Sequence, residues 1–186
     1  MKLFAILFFV ASSCVSAQSN HIYIDQVGNN NQVTVTQDGT GHVVGLAIGA
    51  TLPTSDNDLK TGYSIGTRSY VGPGTSEYNN ISISQQGVGS HTTRIELPRA
   101  SSNLITVDQS GASNHNFSLT ATTNTNNINN TISATQSGTG DKAFALTLDG
   151  TNGATVTVQQ NNPTQANTGS MTIQCTTCGA YSYIRN

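Results

Sequence analysis

Apolar and polar residues alternate along this chain in short runs, and the runs repeat. Reading backwards from each Gln-x-Gly gives Asn20, Ile22, Ile24, Gln26 and Gly28, then Asn31, Val33, Val35, Gln37 and Gly39. The same nine-residue pattern returns at Asn79, Ile81, Ile83, Gln85 and Gly87, at Asn103, Ile105, Val107, Gln109 and Gly111, and at Asn130, Ile132, Ala134, Gln136 and Gly138. A frayed copy follows, with Ala154 for the Asn, Val156, Val158, Gln160, and Asn162 for the Gly. Side chains alternate faces along a strand, so this parity predicts β-strands with Asn, two aliphatics and Gln on one face. The opposite face is Ser and Thr, as at Ser82 and Ser84 or Thr131, Ser133 and Thr135, with Leu104 its only aliphatic.

Placing amides on the aliphatic face needs a reason, because a buried amide without partners costs roughly 1–3 kcal/mol, about what one buried Ile or Val returns. Stacking supplies it. If each copy lies about 4.8 Å above the last, like amides form ladders, each donating to one neighbour and accepting from the other. The predicted ladder residues are Asn20, Gln26, Asn31, Gln37, Asn79, Gln85, Asn103, Gln109, Asn130, Gln136 and Gln160. Ile22, Ile24, Val33, Val35, Ile81, Ile83, Ile105, Val107, Ile132, Val156 and Val158 form the predicted core, and Gly28, Gly39, Gly87, Gly111 and Gly138 turn the chain.

Glutamines 85, 109, 136 and 160 are 24, 27 and 24 residues apart, and Gln37 to Gln85 is 48, twice 24. One coil is therefore about two dozen residues, enough for two strands and two turns, a β-arch. A looser second strand is carried by Thr93, Ile95 and Leu97, then Phe117 and Leu119, then Phe144, Leu146 and Leu148. Pro53, Pro73, Pro98 and Pro163 all fall outside the repeat cores, where a missing N–H does least harm. The predicted fold is all-β: a β-solenoid of stacked β-arches, cross-β and amyloid-like, of about six rungs. Residues 45–78 interrupt it with Gly, Pro, Ser, Tyr and a denser set of charges, and are read as a degenerate rung with a long excursion, a connection before a binding loop.

Composition changes the picture in one respect. Only 9% of residues are charged, the net charge is -2, and Ser, Thr, Asn and Gln make up roughly two-fifths of the chain. There is no basic footprint for nucleic acid, no polybasic membrane patch, and little charge repulsion to oppose self-association. At the start, Lys2, the apolar run Leu3 to Ala11 and Val15-Ser16-Ala17 have the pattern of a signal peptide over residues 1–17. That run is too short for stable membrane insertion. Cys14 follows Ala11-Ser12-Ser13, a poor lipobox, so lipidation is the lesser reading. The expectation is a secreted protein.

The opening unit resembles the curlin repeat of bacterial curli fibres, Ser-x5-Gln-x-Gly-x2-Asn-x-Ala-x3-Gln. Asn20 replaces the Ser and Val33 the Ala, while Gln26, Gly28, Asn31 and Gln37 agree in type and spacing. Later units keep the first half and lose the second Gln, with Glu96, Thr120, Thr147 and Met171 at that position. The resemblance covers about half of the chain. It implies a secreted amyloid subunit, exported unfolded through a curli-type outer-membrane pore, nucleated at the bacterial surface, partnered by itself and other curli-type subunits, and woven into biofilm matrix. The leader that precedes the repeats in curli subunits has no counterpart here, and Arg185 loosely resembles the basic finish of nucleator-type subunits.

Residues 175–186 depart from the family pattern and are read as a cap after the repeats of 18–174. Cys175 and Cys178 form a CxxC, for which a local disulfide is the plain reading in an exported chain. A redox role would need a helix that Thr and Gly do not suggest, and zinc would need two more ligands. His91 and His115 each lie six residues after an anchor glutamine, so stacking places them one rung apart on a turn. Two imidazolium groups there would make assembly pH-sensitive; two solvated turn histidines is the plainer reading. Asp25 and Asp108 sit on the outer face, where stacked like charges would slow assembly as gatekeepers, or simply solubilise.

No catalytic motif emerges: there is no Gly-x-Ser-x-Gly, no HExxH and no Gly-Lys-Ser/Thr, and Glu occurs only twice. The expected function is therefore structural, a fibre subunit without cofactor or metal that is neither an enzyme nor a nucleic-acid binder. A minor nucleator subunit, a monomeric secreted β-solenoid adhesin and, last, an ice-binding solenoid are the rivals.

Overall fold

The computed structural model describes residues 20–26, 29–48, 76–122 and 126–186, with the side chains of Asp25 and Gln26 excepted. The signal-peptide segment 1–17 and Gly28 lie outside these residues, as does most of the 45–78 interruption. In chain order the strands are β1 His21–Gln26, β2 Gln32–Gly39, β3 Val43–Ile48, β4 Asn80–Gly87, β5 Thr92–Leu97, β6 Ala100–Ser101, β7 Leu104–Gly111, β8 His115–Ala121, β9 Asn127–Ile128, β10 Thr131–Gly138, β11 Lys142–Leu148, β12 Thr155–Gln160, β13 Asn167–Ile173 and β14 Ala180–Arg185. Every regular element among the described residues is a strand.

The strands form two parallel six-stranded sheets. One has the order β1-β3-β5-β8-β11-β13 and the other β14-β12-β10-β7-β4-β2. Each coil of chain adds one strand to each sheet, which is the predicted β-solenoid. Register is strict: Ile81, Ile105, Ile132 and Val156 stand in one column, and Gln37, Gln85, Gln109, Gln136 and Gln160 in another. A slip of one residue would carry every aliphatic to the outside, so the hydrophobic parity fixes this pairing. The core lies between the sheets, with Ile81, Ile83, Ile105, Val107, Ile132, Val156 and Val158 buried on one side. Ile95, Leu97, Phe117, Leu119, Phe144, Leu146 and Leu148 face them from the other. Leu104 is exposed on the outer face, as its parity requires.

Three expectations are corrected. The 48-residue step from Gln37 to Gln85 is one rise and not two, because β2 pairs directly with β4. The extra residues fall in the sequence between Ile48 and Ser76, outside the described residues, and Val43–Ile48, partly assigned to the interruption, is a regular strand. Second, β1 carries the repeat pattern but lies in the opposite sheet from the other copies, pairing with β3 so that Gln26 aligns with Ile48. Gln26 and Gln37 are only 11 residues apart, too few to run round a coil of two dozen, so consecutive copies fall on opposite sides. Third, β1 is the last strand of its sheet: β2 reaches across to it, with Gln37 Nε2 3.5 Å from His21 O, but among the described residues no strand lies beyond β2 on that side, and Ile22 and Ile24 are 50% and 45% exposed instead of buried.

A short third side also closes each coil. Strands β6 and β9 pair, Ile128 bridges to Asn152, and Ser76, Ala100, Asn127 and Thr151 are buried along it. The corner after it needs a left-handed residue directly before each Asn of the repeat. Asn30, Tyr78, Ser102 and Asn129 adopt φ between 55° and 58°, and Gly153 takes the place before Ala154 with φ 75°. Only Asn and Gly suit that conformation well, so at Tyr78 and Ser102 the surrounding ladder holds an unfavourable backbone in place.

Candidate assembly site: amide ladders and open ends

The Gln column is a continuous hydrogen-bonded ladder. Nε2 of Gln37 donates to Oε1 of Gln85 at 2.8 Å, Gln85 to Gln109 at 2.9 Å, Gln109 to Gln136 at 2.8 Å and Gln136 to Gln160 at 2.7 Å. The second amide hydrogen crosses to the facing sheet, from Gln85 to Val43 O at 3.2 Å, from Gln109 to Thr92 O at 3.1 Å and from Gln136 to Asn116 O at 3.0 Å. Each glutamine thus ties neighbouring coils and both sheets together. Thr93 adds its hydroxyl to Gln109 Oε1 at 2.8 Å. With all these partners the buried amides carry no unmet desolvation cost.

The Asn column is a second ladder of opposite polarity. Nδ2 of Asn79 donates to Oδ1 of Asn31, Asn103 to Asn79 and Asn130 to Asn103, each at 2.9 Å. The same Oδ1 atoms accept the backbone N–H of the next coil, ending with Ala154 N to Asn130 Oδ1 at 2.9 Å. Ala154 can replace Asn because its N–H alone satisfies the last oxygen. Asn20 and Gln26 do not belong to these ladders, since β1 runs in the other sheet. Asn20 instead bonds Gly39 O and the N–H of His42, both at 3.0 Å.

The turn glycines stack as well. Gly111 has φ 131°, and a Cβ there would overlap the carbonyl oxygen of Gly138 in the next coil. Gly111→Ala is therefore expected to cost at least about 2 kcal/mol, read as a lower urea midpoint. Gly153→Ala is the control, since at φ 75° it has nothing within 4 Å of the added methyl and should cost only about 1 kcal/mol. Equal losses would show that contact between coils does not set the glycine requirement.

The histidines are not solvated. His42, His91 and His115 are fully buried, with rings stacked at 4.9 Å and 4.8 Å, and Lys142 continues their column. The plainer reading of His91 and His115 is overturned, because the turn folds each ring under the strand end it follows. Nε2 of each faces a backbone carbonyl: Asp38 O at 3.2 Å, Gln86 O at 2.9 Å and Ser110 O at 3.0 Å. That contact places the neutral ring's proton on Nε2. Nδ1 of His91 and of His115 has no partner. Burial, reinforced by neighbouring His115 and His42, holds His91 down to about 4, with the Gln86 carbonyl opposing. His115 is also lowered, first by burial and then by Lys142, with the Ser110 carbonyl opposing. Burial lowers Lys142, whose Nζ donates to Gly140 O at 2.8 Å and Gln165 O at 2.5 Å. Sequence spacing pointed to His91 and His115, six residues after their glutamines; His42 was missed because its turn is one residue shorter and places it five after Gln37.

At the C-terminal end, Cys175 and Cys178 form a disulfide, and the hydroxyl of Tyr181 lies 3.5 Å from Cys175 Sγ. β14 extends one sheet past β12 with only β13, the last strand of the other sheet, across from it, so Tyr181, Tyr183 and Arg185 occupy the inward columns of Val156, Val158 and Gln160. The Tyr183 ring fills the gap above Gly169, its centroid 4.8 Å from that of Phe144. Asp108, on the outer face as expected, is exposed. Among the described residues no three His, Cys, Asp or Glu side chains are arranged to hold a metal ion.

These features define a parallel β-solenoid with two interior amide ladders and, among the described residues, unpaired strands at both ends. No protein-family model, curated protein or solved structure matches the chain.

Proposed function

We propose that the protein is a structural subunit of an extracellular, curli-like functional amyloid, which assembles by templated stacking of coils and contributes to biofilm matrix and adhesion. The observation that carries this reading is the Gln ladder, whose every internal member bonds to a like residue above and below. Such a ladder makes one coil a template for the next, and the strands β2, β13, β1 and β14 at the two ends leave backbone groups to be paired. The low charge opposes stacking little, and the curlin-like repeat supports export through a curli-type pore to the cell surface.

The working partner in this reading is the protein itself, joined by other curli-type subunits, and the chemistry is association without catalysis. A nucleator role within such a fibre is the second reading, favoured by the uneven coil lengths, 48 and 27 residues beside two of 24. The test is direct. Protein beginning near Gln18, held for a day at neutral pH, is expected to form filaments with a meridional reflection at about 4.8 Å that bind amyloid dyes. A protein that stays monomeric at high concentration in sedimentation would instead be a solenoid adhesin. Seeding of a separate major subunit by this one would identify the nucleator.

A further inference from the structure

The two ends of the solenoid are complementary halves of one coil. At the N-terminal end β1 adds a strand to the first sheet while the second sheet stops at β2; at the C-terminal end β14 adds a strand to the second sheet while the first stops at β13. We propose that β14 of one copy and β1 of the next together form a composite coil, so that this coil is incomplete in either copy alone. The proposal rests on the fibre reading above and specifies its contacts.

Backbone directions fit. Thr155 N–H bonds Gly179 O and Asn161 N–H bonds Arg185 O, which turns the odd-numbered residues of β14 towards β12 and leaves Ser182 and Ile184 at the open edge. Gln32 N–H bonds Asn79 O, so β2 leaves Val33, Val35 and Gln37 at its own open edge. In the other sheet, Asn167 N–H bonds Asp141 O and His21 N–H bonds His42 O, leaving at the edges Thr168 and Ser170 on β13, the Thr168 carbonyl also accepting the Tyr183 hydroxyl at 3.3 Å, and Ile22 and Ile24 on β1. Both pairs of edges run parallel and each presents alternate residues. Continuing the register puts Ser182 beside Thr34 of the next copy, Tyr181 and Tyr183 beside its Val33 and Val35, and Gly169 and Met171 beside its Ile22 and Ile24.

Side chains fit in the same register. Ile22 and Ile24 are half exposed because β2 reaches across to their strand from one side only, and Tyr181 and Tyr183, packed on the C-terminal end of the core, likewise have a described strand on one side only. Closing the composite coil sets these two pairs against each other. The Tyr183 ring, already seated over Gly169, gives Ile22 of the next copy a filled floor. Arg185 stands in the Gln column after Gln160, and the next member of that column is Gln37 of the adjoining copy, whose Oε1 has no donor among the described residues. A guanidinium has only donors, so it can continue the ladder in one direction and not the other. The filament is therefore polar, each C-terminal end receiving an N-terminal end.

Disulfide trapping tests the register. Ser182→Cys and Thr34→Cys proteins, assembled together and then oxidised, are expected to give a 182–34 crosslinked dimer as the main product on a non-reducing gel. Either variant assembled alone should give none. Filaments without the mixed crosslink, or with a 34–34 crosslink, would overturn the composite coil while leaving the fibre reading standing. Failure of the unsubstituted protein to assemble at any concentration would overturn both. As a second measurement, Ile184→Pro removes an N–H at the open edge of β14 and none used within the chain, and in substoichiometric amount should arrest seeded growth. Undiminished growth, with the variant incorporated, would contradict the proposal.

Discussion

Gln109→Leu is expected to lower the stability of the solenoid by about 3–5 kcal/mol, the largest loss of any single interior change considered for this chain. Gln109 is buried, and four groups depend on it: Gln85 Nε2, the Thr93 hydroxyl, Gln136 Oε1 and Thr92 O. Leu matches the volume and adds apolar contact, but buried polar groups left without partners each cost about 1–3 kcal/mol. Gln85→Leu, Gln109→Leu and Gln136→Leu combined should cost much less than three times the single change, because neighbouring partners are then removed together. Urea midpoints of the single and triple variants check this. A strictly additive triple variant, or a single variant at the midpoint of the unsubstituted protein, would remove the ladder from the account of stability.

Acidification from pH 7 to below 4 is expected to destabilise the protein by roughly 3 kcal/mol through His91 alone, with His115 acting in the same direction. In the unfolded chain His91 takes up a proton near 6.5, whereas in the coil burial keeps it neutral down to about 4. Unfolding binds a proton between those values, so stability is full above about 6.5, falls through the window and levels off below 4. The charges facing this ring come from its own column: His42 on one side, and His115 with Lys142 and Asp141 beyond it on the other. Protonation at Nδ1 would place a cation where no acceptor exists, between two stacked rings. Urea midpoints at pH 7, 5.5 and 4 measure the loss, and His91→Leu should flatten the profile over that window. If the substituted and unsubstituted proteins lose stability in parallel, the histidine column is not the cause.

Much of this was legible in the sequence. Two-residue parity with aliphatics in step with Asn and Gln determines strands, an inside face and the identity of the ladder residues from Asn31 onwards, because a buried amide needs hydrogen-bond partners and a like amide stacked above it supplies them. The recurring spacing of about two dozen residues points to parallel stacking, since each return brings a like strand back in the same direction beside the last. These are local constraints, and they act wherever the pattern stands.

What the tertiary structure alone decided lies at the corners and the ends. The repeat in β1 reads like its neighbours, yet 11 residues from Gln26 to Gln37 cannot encircle a coil, so Asn20 and Gln26 leave the ladders and Ile22 and Ile24 leave the core. The interval from Gln37 to Gln85 divides evenly by 24, but an insertion at a corner leaves the column unbroken, so arithmetic could not separate one rise from two. His42 joins His91 and His115 although it lies five and not six residues after its glutamine, because strand pairing absorbs a turn one residue shorter. Parity says which face a residue takes, while the sheet it enters and what stands above it depend on how the whole chain winds.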